Sequence, residues 1–230
     1  MIVVSPHFDD AVFGCGALLA GHPCARVVTV FAGLPRDAGR CTEWDAHSGF
    51  ADAREAIAQR RREDRRALGL LKAQPLWLDF ADAQYGESPG IDDVAAVLRE
   101  LLRPLSPDTL LYPLGLFHSD HHLVHEACRA ALPALPGLEP LAYEDALYRA
   151  RPGLLQQRLA ELAGRGVQAT PAHRIAPSGV AALKAQAVQA YASQLRALGA
   201  DAADDTARPE RYWALQPVAD SRCTEHGRRS

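Results

Sequence analysis

Met1-Ile2-Val3-Val4-Ser5-Pro6-His7-Phe8-Asp9-Asp10 opens the chain, and its reading decides the fold. Four apolar residues form a run with the character of a buried strand. An imidazole and two carboxylates follow at once. Val12 to Ala20, with Gly14-Cys15-Gly16 at its heart, then reads as a helix. A strand that ends in polar donors and turns directly into a helix is the opening unit of an α/β domain.

The same alternation continues along the chain. Strands are expected at Arg26–Phe31, Pro75–Phe80, Thr109–Pro113 and Leu141–Glu144. Helices are expected over Asp52–Leu68, Asp92–Leu102, His121–Leu132 and Val180–Leu198, the last being the longest. Ala200–Pro209 is polar and reads as a loop, and 220–230 as a frayed tail beyond a domain spanning 1–219. This pattern gives a single α/β domain, a mostly parallel sheet flanked by helices. No internal repeat interrupts it.

Composition narrows the function. The 230 residues carry 48% hydrophobic and 23% charged residues, ordinary values for a globular domain. A net charge of −3 leaves no footprint for nucleic acid or an anionic membrane. Arg60-Arg61-Arg62 and Arg65-Arg66 alternate with Glu63 and Asp64 and read as a solvated helix face. No run reaches the roughly 18 apolar residues of a membrane span, and no basic segment precedes the first strand to suggest a signal peptide. The five cysteines are odd in number and lack CxxC spacing, which points to a reducing, cytoplasmic compartment. Arg accounts for 23 of the 25 basic residues, a bias expected of a GC-rich bacterial genome.

A second polar cluster, His118-Ser119-Asp120-His121-His122 with His125, follows the Thr109–Pro113 strand. Sites in open α/β sheets form beyond the carboxyl ends of strands, so the two clusters can meet there. A catalytic zinc takes three protein ligands and keeps one position open. His7, Asp10 and His121 supply that number. Asp9 is then left to accept a proton from water, and His118 to protonate a leaving group. Amide hydrolysis suits this set. Ferrous iron would accept the same mixed nitrogen and oxygen donors as Zn2+.

Each cluster also has a plainer reading. Asp-Asp after a strand is often a helix cap, and a His-rich loop is often a solvated turn. Gly14-Cys15-Gly16 lacks the third glycine of a dinucleotide fingerprint, and no acidic residue ends the second strand. The glycines are better explained by close packing of the first helix. Cys15 and His125 read as buried structural residues, and His122 as solvated. The irregular stretch 36–51, with Trp44, is a candidate lid.

These residues carry a resemblance. Ser5-Pro6-His7-Phe8-Asp9-Asp10-Ala11-Val12 resembles the opening signature of the PIG-L/LmbE-like metal-dependent N-deacetylases, and His118-Ser119-Asp120-His121 resembles their His-x-Asp-His signature. Arg60-Arg61-Arg62-Glu63, Leu78 to Tyr85, Tyr143-Glu144-Asp145 and Tyr191-Ala192-Ser193-Gln194 are similar to further elements, so the likeness covers roughly residues 1–215. It implies a Rossmann-like domain and removal of an N-acyl group from a small amino-sugar-type substrate. It also implies metal ligation by His7, Asp10 and His121, with Asp9 as base and His118 protonating the amine or balancing charge in the intermediate. Asp120 would orient His118 or a ligand, and Arg60 and Asp82 would contact sugar hydroxyls. Phe8 and Ala11 depart from the common form of the motif and bear on the pocket mouth. Two rivals stay open: an amidase for a larger acyl group, and a silent binding protein of the same fold. Oligomeric state is not legible.

Overall fold

The computed structural model describes residues 1–199 and 201–218. Its strands are β1 (Ile2–Ser5), β2 (Arg26–Thr29), β3 (Gln74–Trp77), β4 (Thr109–Pro113), β5 (Glu139–Tyr143), β6 (Val167–Ala172) and β7 (Tyr212–Pro217). Its helices are α1 (Asp10–Ala20), α2 (Glu43–Ser48), α3 (Ala53–Leu70), α4 (Ile91–Leu105), α5 (Ser119–Ala131), α6 (Leu154–Gly164), α7 (Ala181–Gln189), α8 (Ala192–Leu198) and α9 (Asp201–Thr206). Short 3-10 turns lie at Ala83–Tyr85 and Leu132–Ala134.

One seven-stranded sheet runs in the order β3-β2-β1-β4-β5-β7-β6. The first five strands pair in parallel, whereas β7 joins β5 and β6 antiparallel. Helices cross from each parallel strand to the next, so both faces are covered. That is why β1 is apolar from Ile2 to Val4: Val3 packs into the layer with Phe13, Leu68 and Val188, while Ile2 and Val4 pack into the other with Leu98 and Val124. Gly14 brings α1 onto the sheet, because a Cβ there would come within 2.9 Å of the Tyr143 ring. The glycines of the first helix thus serve close packing.

The strand order reverses direction between β1 and β4, which are neighbours through Ile2↔Leu110 and Val3↔Leu111. Binding crevices form at such a switch point, beyond the strand ends. The two polar clusters are attached to those two strands.

Three expectations need correction. Val180–Leu198 is two helices, because Tyr191 leaves the helical path to bury its ring and donate to Asp64 at 2.8 Å. Ser193 then engages Glu63 through its amide and hydroxyl. The longest helix is therefore α3, whose 18 residues exceed either piece. Within 200–209, Asp201–Thr206 is helical, not a loop. The tail at 220–230 lies outside the described residues.

Candidate metal centre and its surroundings

The β1–α1 turn places the first donors. Ser5 Oγ donates to the His7 carbonyl at 2.5 Å and accepts from the Ala11 amide, which folds the turn tightly around one hydroxyl. The His7 amide donates to Asp10 Oδ2 at 2.8 Å and aims that carboxylate. Asp9 stands at the N-cap of α1 but makes no side-chain capping bond. The plain reading of Asp9 as a helix cap therefore fails, and its carboxylate is left for the cavity.

The β4–α5 turn places the second set. His118 is the N-cap of α5, its Nδ1 accepting from the Asp120 amide at 3.2 Å. An accepting Nδ1 puts the proton on Nε2. One turn into the helix, His121 reaches back toward the end of β1. Its Nε2 lies 3.3 Å from Asp10 Oδ2, and His7 Nδ1 lies 3.2 Å from the same oxygen. Ligand atoms at zinc bond lengths in a tetrahedron sit about 3.3 Å apart. The His7–Asp10–His121 trio fits a bound metal on that geometry, and all three donor atoms lie within 4.8 Å of one another.

The remaining nitrogens are also held. His7 Nε2 meets Asp120 Oδ2 at 3.1 Å, and His121 Nδ1 meets Asp145 Oδ1 at 2.6 Å. Each imidazole therefore has one nitrogen turned to the metal position and the other donating to a carboxylate, an arrangement that fixes tautomer and ring plane. Asp120 thus orients His7, a candidate ligand. Asp145 is the partner the sequence reading left without a role. Its Oδ2 also accepts from Gly115 and Leu116 amides at 2.9 and 3.0 Å, and fastens the loop before His118. Gly115 adopts φ +80, a conformation only glycine takes freely.

Charge in this cluster follows from burial and neighbours. Burial opposes the charge on His121, yet Asp10 and Asp145 hold it up at about 9. His7 is likewise held well above the usual range by Asp82, Asp10 and Asp120 despite burial. Burial, with the Asp10 carboxylate beside it, pushes Asp9 up to about 7. A base near neutrality is well matched to proton abstraction at physiological pH. Burial and the adjacent imidazoles lower His118.

Comparison with known proteins gives the family. The family described as PIG-L, GlcNAc-PI de-N-acetylase, matches residues 2–132. The chain belongs to the PIG-L family. It is 33% identical over 218 residues to the 2'-N-acetylparomamine deacetylase of Streptomyces fradiae, covering 84% of this chain and 72% of that one. The A40926 pseudoaglycone deacetylase Dbv21 is similar in structure, with TM-score 0.75 and 26% identity over 95% of this chain and 98% of that one. A zinc-inhibited form of teicoplanin deacetylase Orf2 shares the fold, with TM-score 0.78 and 23% identity over 96% and 99% of the two chains. The chain is thus a hydrolase of the N-deacetylase class.

In this PIG-L domain a cavity of about 320 Å³ opens over the metal trio. Asp9, Asp82, His118, Trp44, Tyr148 and Gln194 are among its walls. Asp82 stands at the cavity edge, 3.7 Å from His7 Nε2, and accepts from the Gln84 amide and side chain. Arg60 does not line the cavity. It is buried, with Nη2 on Asp45 Oδ1 at 2.8 Å, while Tyr85 donates to the other Asp45 oxygen. That buried trio clamps the 36–51 stretch to α3 and to the turn at Ala83–Tyr85. The stretch contains the helix α2, and Trp44 on it donates to Gln194 of α8 at 3.2 Å. It forms a docked wall of the cavity.

A larger cavity, about 580 Å³, lies against α1 and α7. Its Lys184 and Glu210 are paired at 2.8 Å, and Glu210 also accepts from the Ala17 and Leu18 amides and Tyr212. Those groups are satisfied by one another. His125, buried one turn after His121, donates to the Pro113 carbonyl and belongs to the core. Cys15 and Cys128 are buried thiols, and Cys24 and Cys41 are free as well.

Proposed function

We propose that the protein is a zinc-dependent N-deacetylase acting on a small substrate that carries an amino sugar. The observation that carries this reading is the metal trio with an uncommitted carboxylate, Asp9, and a proton-bearing imidazole, His118, on the same cavity wall. His7 Nδ1, Asp10 Oδ2 and His121 Nε2 would hold the metal. When bound, the metal supplies a Lewis acid that polarises the amide carbonyl and makes water a nucleophile near neutral pH.

The protein's own groups carry the protons. Asp9 accepts one from the attacking water as the tetrahedral carbon forms. His118 Nε2–H faces the departing nitrogen and steadies the intermediate. The proton held by Asp9 passes to that nitrogen as the C–N bond breaks, so the product leaves as an amine and Asp9 is again a carboxylate. Asp120 and Asp145 keep the two ligand imidazoles in their tautomers throughout. Asp82, at the cavity edge, is suited to accept from a sugar hydroxyl. Arg60 acts at one remove, bracing the wall through Asp45.

Cavity size supports a substrate of this class, since about 320 Å³ holds a sugar ring with its acyl group. The relatives named as deacetylases of 2'-N-acetylparomamine and of the A40926 pseudoaglycone support an amino-sugar amide. Ferrous iron remains an acceptable occupant on donor chemistry. Free cysteines support a reducing, cytoplasmic setting. No helix among the described residues is long and apolar enough to cross a membrane.

The test is amine release from N-acetylglucosamine and its conjugates by zinc-loaded enzyme. Release of acetate and amine in equal amounts supports the reading. Release only from long-chain N-acyl amides would favour the larger-acyl amidase instead. Binding without any hydrolysis would favour the silent alternative.

A further inference from the structure

Phe117 is more than half exposed, at 54%, although it directly precedes His118. It also sits at φ +63, in a three-residue turn closed by the His118 amide on the Leu116 carbonyl at 2.7 Å. A turn of this kind with positive φ is the rare and strained form, costly for a bulky side chain. The strain holds an aromatic ring in solvent, next in the chain to His118 of the cavity wall.

That ring is not alone. Phe117 lies 5.3 Å from Tyr148, centroid to centroid, and Tyr148 lines the cavity and meets His121 edge-on at 5.4 Å. The Arg151 guanidinium carbon lies 3.8 Å from the Phe117 centroid and 5.6 Å from that of Tyr148. Arg151 is exposed and forms no ion pair among the described residues. Leu147, before Tyr148, is left-handed too, at φ +68, and its amide is tied to Asp205 Oδ2 at 2.7 Å. Arg149 holds the same carboxylate at 3.1 Å. Both loops of this shelf are thus braced before any ligand arrives.

We propose that Phe117, Tyr148 and Arg151 form an extension subsite that takes a ring bearing an anionic group on the amine-bearing half of the substrate. The reading rests on the deacetylase site proposed above. In the proposed reaction His118 Nε2–H faces the leaving amine, so whatever lies beside it belongs to the amine half and not to the acyl group. Rings stack on exposed aromatic faces, and an unpaired guanidinium already seated on one draws a carboxylate or phosphate. A polycationic extension would be disfavoured there. The natural substrate is therefore larger than one sugar and acidic beyond it.

Zinc-loaded enzyme would be assayed on the phenyl, 4-carboxyphenyl, 4-phosphophenyl and 4-aminomethylphenyl glycosides of N-acetylglucosamine. The expected result is an anionic preference of about fivefold over the neutral phenyl glycoside, carried by KM and weakened by salt. The carboxylate and phosphate arms separate the two sources of charge. Arg151→Gln should erase the preference, and Phe117→Ala should lower the advantage of aryl over methyl glycosides. Equal kcat/KM across the panel, or an equal fall on every substrate in Arg151→Gln, would overturn the subsite. So would a dimer in solution that Phe117→Ala dissolves, since a second copy would then cover the shelf. Should no glycoside be hydrolysed, the deacetylase reading fails on its own. Calorimetric binding of the 4-carboxyphenyl and phenyl glycosides to wild type and Arg151→Gln still decides the subsite, with equal affinities contradicting it.

Discussion

His121 and His125 stand one turn apart on α5, both almost fully buried, and the protein treats them oppositely. His121 faces Asp10 and Asp145, and these carboxylates hold its imidazole up at about 9 despite burial. His125 faces no carboxylate, and burial, with Arg158 beside it, pushes it down to about 3. Its Nδ1 meets only the Pro113 carbonyl, and its Nε2 has no partner. The spacing of the two residues is one helical turn, so sequence pattern alone cannot rank them. What separates the proposed metal ligand from a core histidine is the pair of carboxylates that follow two strands, Asp10 after β1 and Asp145 after β5.

The comparison breaks most sharply by mutation. His121→Ala should lower metal content from about one per chain to near zero and abolish amine release. His125→Ala should keep the metal and lose about 2–3 kcal/mol of stability from the cavity and the lost hydrogen bond. Elemental analysis and thermal unfolding of the two variants read both effects. Equal metal loss in the two would mean that α5 needs both histidines for the site.

Asp9→Asn separates holding the metal from using it. Turnover should fall about 10²–10⁴-fold while metal content stays near that of the wild type. Retained turnover would remove Asp9 from its role as base.

Asp145→Asn sharpens the comparison at its cause. An amide there still fills the space but cannot accept as an anion from His121 Nδ1. Zinc affinity, measured by competition with a chelator, should weaken about 10–100-fold. Unchanged affinity would show that Asp10 alone distinguishes His121 from His125.

Asp64 is the acidic counterpart of His125, buried with only the Trp77 and Tyr191 donors against its oxygens. Burial raises it from 3.8 to about 6. The protonated form is thus favoured in the folded state. Its stabilising contribution is complete below about pH 4 and is lost as pH rises through 6. Asn does not titrate, so Asp64→Asn should gain on wild type by about 1–3 kcal/mol between about pH 4 and pH 7.5. Denaturant titrations at the two pH values check it, and a difference that does not move with pH would contradict it.

Much of this was legible in the chain because its first half obeys simple rules. β4 falls at Thr109–Pro113 as expected, since its apolar run is bounded by turn residues on both sides. β1, β2, α1, α3, α4 and α5 fall within a few residues of expectation for the same reason. The meeting of the two polar clusters was readable because each directly follows an apolar strand, and strand ends converge at the switch point. The C-terminal third was less legible. There β6 and β7 pair antiparallel at the sheet edge, α6 carries weak patterning, and the break at Tyr191 depends on a hydrogen bond to Asp64, 127 positions away. Asp145 was quoted within Tyr143-Glu144-Asp145, yet nothing local marks it as the partner of His121. Arg60 reads as exposed from its arginine-rich surroundings. Its burial comes from Asp45, a residue in a stretch that looked irregular.

The central claim is that His7, Asp10 and His121 hold a metal needed for amide hydrolysis. The most direct measurement strips the purified enzyme with a chelator, then follows amine release from the N-acetylglucosamine glycosides as zinc is added back. The account predicts no release from the stripped enzyme and full recovery at about one zinc per chain. Hydrolysis that continues at full rate in the stripped enzyme would contradict it.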